Sequence, residues 1–89
     1  MSWVSPDKRT CLSRQARLLV VANDNAAISS VGFYDGTRQI GRVRKNTAGL
    51  FSMTWSTAGK RRGTHVLTAV ASDTRGREDR AARVFRVCG

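Results

Sequence analysis

Proline occurs once in this chain, at Pro6, histidine once, at His65, and cysteine twice, at Cys11 and Cys88. Acidic groups are scarce too: six Asp and Glu stand against sixteen Lys and Arg, a net charge of +10 over 89 residues. Each shortage excludes something. One histidine and two cysteines fall short of the four ligands a structural zinc site takes. The aspartates Asp24, Asp35, Asp73 and Asp79 sit in separate turns without EF-hand spacing. No metal or cofactor is therefore expected. His65 reads as a structural residue where a loop enters a strand, because a general base needs a nucleophile or carboxylate in reach. G-x-S-x-G, H-E-x-x-H and glycine-rich phosphate loops are all missing, so no catalytic residue is expected and the chain does not read as an enzyme. No apolar run approaches the roughly 20 residues of a membrane-spanning helix. The opening ten residues carry Asp7, Lys8 and Arg9 and lack the apolar stretch of a secretory signal.

What remains is the composition of one folded domain spanning residues 1–89. Forty per cent of residues are hydrophobic and 25% charged, which sets the chain apart from disordered sequences. Short alternating segments are punctuated by turn residues every eight to twelve positions or so, the pattern of an antiparallel sandwich or barrel. Residues 17–22 form an apolar run stopped by Asn23, Asp24 and Asn25. A helix over 13–22 is the rival reading, and the β-branched Val20 and Val21 favour the strand. Val31 and Phe33 share one face of the next strand, and Asp35-Gly36 marks a tight hairpin. On the return, Arg38, Arg42 and Arg44 line a solvated edge; Ile40 falls on the same face, which calls for a bulge near Gly41. Phe51, Met53 and Trp55 share one face, with Leu50, Ser52 and Thr54 on the other; His65, Leu67, Ala69 and Ala71 share a face opposite Thr68, Ser72 and the valines. Residues 73–76 read as a turn. In the last strand, over 81–88, either Val84 and Cys88 face inward with Arg86, or Phe85 and Val87 face inward with Arg83. The sequence leaves both open. The fold class is all-β, with about seven strands in an antiparallel sandwich or barrel.

Three phrases, VGFYDG at 31–36, a strand ending in Trp55 and GTHVLTAVASDTRG at 63–76, occur in the order and spacing of the bacterial immunoglobulin-like domains. The chain resembles that family over nearly its whole length. Ser5-Pro6 and VVANDN at 20–25 resemble its opening strands. The resemblance implies a two-sheet Greek-key sandwich with Phe33, Trp55, Leu67, Ala69 and Ala71 in the core. Trp55 would then lie against the small Ala69 and Ala71. It also implies a non-catalytic accessory module, a spacer, stabiliser or docking domain at the C-terminal end of a larger bacterial protein. The partner expected is the parent polypeptide or another protein, with the module itself monomeric.

In such a sandwich the first and last strands lie side by side, so Cys11 and Cys88 are candidates for a disulfide. A bond closing so long a loop contributes about 4 kcal/mol on the chain-entropy model. Bonded cysteines point to an extracellular or cell-envelope setting; two free thiols, the alternative, fit a reducing one. The second functional reading is a binding module for an anionic polymer: nucleic acid, acidic glycan or an anionic membrane surface. Its candidate residues are Lys60, Arg61 and Arg62, in a loop between Gly59 and Gly63. Trp3, Tyr34 and Phe85 are the aromatics not assigned to the core. Three scattered rings do not make a stacking platform, so specific nucleic-acid recognition is not expected.

Overall fold

Among the described residues eight strands follow one another: β1 Ser2–Ser5, β2 Cys11–Leu12, β3 Gln15–Val21, β4 Ile28–Asp35, β5 Arg38–Val43, β6 Leu50–Ser56, β7 Gly63–Asp73 and β8 Glu78–Val87. They come from a computed structural model, which describes residues 1–5, 11–12, 14–22, 28–44, 49–57 and 62–88. One sheet has the order β1-β3-β6 and the other β2-β8-β7-β4-β5. Every pairing is antiparallel except β2 with β8, which run parallel. The molecule measures 38 × 23 × 17 Å.

Side-chain alternation explains why the two sheets close on each other. On β3, Ala16, Leu18 and Val20 are buried, and the register sets them opposite Trp55, Met53 and Phe51 of β6. From the larger sheet come Val31 and Phe33 of β4, Leu67, Ala69 and Ala71 of β7, and Phe85 and Val87 of β8, all within 2% of full burial. The strand expected at 17–22 is therefore present as β3, and the helical alternative is overturned. Its run is too short and too β-branched to leave the ladder it makes with β6.

The last strand resolves to the second of its two phases. Phe85 and Val87 are buried, while Val84 stays 54% exposed. Arg83 lies on the inner side opposite Leu67, half-buried, and Arg86 is exposed.

Two aromatics left outside the core by the sequence reading lie inside it. Phe85 is 1% exposed and Trp3 is 7% exposed. The Trp3 indole packs edge-on against Phe33 and Phe85, with centroids 5.8 and 5.4 Å away. Its Nε1–H donates to the carbonyl of Ala81, 3.0 Å away. Ala81 pairs with Ala69, so the Trp3 indole sits at the Ala69 level of β7, whereas Trp55 meets His65 near the start of that strand. A buried tryptophan needs a partner for its N–H, and the sheet carbonyl supplies one.

Chain entry into the sandwich is tied down covalently. Cys11 and Cys88 are joined by a disulfide, with Cα atoms 5.6 Å apart and a sequence separation of 77. The Cys88 N–H donates to the Leu12 carbonyl at 2.8 Å, extending the short β2–β8 ladder. Between β2 and β3 the chain crosses from the larger sheet to the smaller one. Arg14 makes that crossing in the left-handed region, at φ 57°, a conformation costing a side-chain-bearing residue about 1 kcal/mol or more. Its carbonyl accepts the Thr57 N–H at 2.7 Å, closing the end of the β3–β6 ladder.

Candidate functional site

Gly36 and Thr37 connect β4 to β5, and Gly36 has a φ of 61°. A two-residue loop with glycine first is the arrangement that matches the twist of the flanking strands. The expected bulge is present. Phe33 pairs with Gly41 and Tyr34 with Gln39, so Ile40 is the extra residue. One extra residue reverses the facing of everything before it. Ile40 turns to pack on the core and Arg42 stays on the outer side opposite Gly32, while Arg38 stands opposite Asp35 at the inner margin. The basic edge read from the sequence is thus split between two sides of the strand.

The hairpin tip is fastened to β7 at that margin. The Gly36 N–H donates to the Val66 carbonyl at 3.0 Å. His65 Nδ1 lies 3.0 Å from both carboxylate oxygens of Asp35, and both side chains are largely buried. The imidazole meets Trp55 edge-on at 5.9 Å. The sequence reading gave His65 a structural place but missed its carboxylate partner. The two residues are 30 apart in sequence, and only the β4–β7 register brings them together; the cue was the Asp at the hairpin tip.

Beside this cluster lies a cleft of about 310 Å³ between β5 of one sheet and β6 of the other. Arg38, Gln39 and Ile40 form one wall and Met53, Thr54, Trp55 and Ser56 the other. Among the described residues both strands are terminal in their sheets, so each presents backbone groups without a neighbouring strand there. Trp55 is 3% exposed, and among the described residues its Nε1–H has no acceptor and the buried Thr57 hydroxyl no partner. A second depression, of about 340 Å³, lies on the outer face of the larger sheet, between Tyr34, Val70 and Arg80.

The other sequence candidates fall elsewhere. Arg62 is exposed, and Lys60 and Arg61 lie outside the described residues, so the basic loop has no geometry to weigh. Asp24 lies outside them as well. Asp73 serves its own turn: Oδ1 accepts the N–H groups of Arg75 and Arg77, each at 2.8 Å. Its carboxyl is held below the ordinary value of 3.8. The Arg77 N–H is the largest cause; partial burial opposes it, and the Arg75 N–H and the two arginine charges add to it. Among the described residues no three His, Cys, Asp or Glu side chains gather as a metal would require.

Comparison with known proteins agrees with this architecture. The profile of the family described as "Bacterial Ig domain" matches residues 1–69. Among solved structures, one reported under "Structures of Clostridium thermocellum CbhA fibronectin(III)-like modules" superposes with a TM-score of 0.78. It is 21% identical, and the superposition covers 97% of this chain and 92% of that one. At that identity the likeness concerns the fold. No curated protein matches the chain.

Proposed function

The chain belongs to the bacterial Ig domain family, and from that premise we propose that it is a non-catalytic spacer and docking module within a larger polypeptide. One observation carries the reading. The Met1 backbone nitrogen lies 3.1 Å from Asp79 at the start of β8, whereas Cys88 follows the far end of that strand. The run from Asp79 to Cys88 is about 30 Å at strand rise. Polypeptide attached before Met1 and after Cys88 therefore leaves from opposite poles of a body 38 Å long. Such a module separates its neighbours by its own long axis.

The disulfide suits that role. It joins Cys11 to Cys88 at the pole where the chain leaves, so the covalent path from one pole to the other runs through the first eleven residues and the S–S bond. The oxidised state is part of the proposal, and with it an extracellular or cell-envelope setting. Both cysteines are exposed, so the bond is open to reductant in the folded protein. Intact mass under non-denaturing reduction reads it as a gain of about 2 Da.

The spacer role is tested by placing the module between two folded reporter domains and measuring their separation by small-angle scattering. The expected increment is close to the 38 Å long axis and insensitive to salt. An increment near the 17–23 Å of the short axes would contradict it.

A further inference from the structure

The β5–β6 cleft has three features that share one chemistry. Its β5 wall begins with Arg38, turned to the inner margin by the bulge at Ile40 and exposed. Its β6 wall includes Trp55, whose buried indole N–H lacks an acceptor among the described residues, although a buried N–H ordinarily has one. Both walls are terminal strands, so extended backbone on either side can add to them. A guanidinium and an indole N–H are both donors, and together they select a carboxylate. The net charge of +10, with Arg42 and Arg44 further along the same edge, favours an acidic occupant over a neutral one.

We propose that the cleft between β5 and β6 docks an extended acidic segment of a partner protein, with a carboxylate held by Arg38 and by the Trp55 indole N–H. The segment lies along the free edge of β6, and its acidic side chain enters the cleft between Gln39 and Trp55. Met53 and Ile40 provide the apolar floor for the neighbouring side chain. This deepens the docking role proposed above and rests on it. The spacing measurement is independent of it, so the two readings fail separately.

The test uses the whole chain and the indole N–H signals of its two tryptophans in a ¹H–¹⁵N spectrum. The probe is a capped hexapeptide alternating Glu and Val, with a Lys-for-Glu version as control. Addition of the Glu peptide moves the Trp55 signal in a saturable way and leaves the Trp3 signal, bonded to Ala81 in the core, unmoved. Arg38→Gln weakens binding about tenfold or more, the scale of a charge-assisted hydrogen bond. Arg42→Gln, on the outer side of the same strand, changes it less than about twofold, as a screened surface charge should. Trp55→Phe keeps the ring and removes the donor, and weakens binding in the same direction. If that variant does not fold, the Arg38 and Arg42 pair decides alone. A Trp55 signal unmoved at millimolar peptide, equal response to the Lys peptide, or equal losses in the two arginine variants would each overturn the proposal. So would a heparin fragment shifting Trp55 where the Glu peptide does not, which would make the cleft a polyanion site.

Discussion

Arg14 and Asp73 show two ways in which a single residue sets a local backbone path. Arg14 holds a left-handed conformation that glycine adopts freely. Arg14→Gly removes that strain but enlarges the unfolded ensemble, so the net expectation is a gain of about 0.5–1 kcal/mol. Chemical denaturation of the pair checks it; a loss of stability would assign the arginine side chain a role beyond backbone geometry. Asp73 works through charge. Its folded carboxyl titrates below the value of 3.8 that it takes when unfolded, so its contribution is complete above that value and is lost as the pH falls through the folded pKa. Asp73→Asn keeps an acceptor for the turn and removes the titration. The variant should melt below the parent at pH 7, and the two melting temperatures should converge in strong acid. A constant gap across that range would mean that the carboxylate charge is not what stabilises the turn.

At the scale of elements, alternation made β4, β6 and β7 legible, because each has one buried face and therefore one allowed register. Phe33, Trp55, Leu67, Ala69 and Ala71 sit where the sequence placed them, inside. The bulge in β5 was legible for a sharper reason: Ile40 broke an otherwise charged face. Less could be read where a pattern was short or two-sided. Four residues of β1 gave too little periodicity to place Trp3, and in β8 arginines at 83 and 86 made both phases look alike. His65 and Asp35 meet only through long-range register, which no local pattern encodes. The basic loop at 60–62 is the part of the sequence reading that the described residues leave without geometry.

The bulge itself can be probed at Gly41. A Cβ added there would fall 2.7 Å from the Met53 sulfur and 2.8 Å from its terminal methyl. That methionine end is flexible and can swing aside for one methyl, so Gly41→Ala should cost under about 1 kcal/mol. Gly41→Val brings two further carbons into the cleft floor and should cost about 1–3 kcal/mol, as overpacking does. Thermal unfolding of both variants checks the order. Equal effects would mean that Met53 does not lie against β5 as described.

For the whole molecule, the disulfide changes what pulling on the ends can do. The chain from Met1 to Cys11 can reach about 36 Å at full extension. It already covers about 30 Å of strand length between the poles. Tension applied before Met1 and after Cys88 passes along that segment and through the S–S bond, and the residues between the cysteines are bypassed. A module built this way holds its length even if its sheets open.

Single-molecule extension from the two termini measures this directly. With the disulfide intact, the module should lengthen by less than about 10 Å at forces that unfold ordinary sandwiches, and under reductant it should release more than about 250 Å of chain in one step. A release of that size without reductant would contradict the covalent clamp and the load path drawn from it.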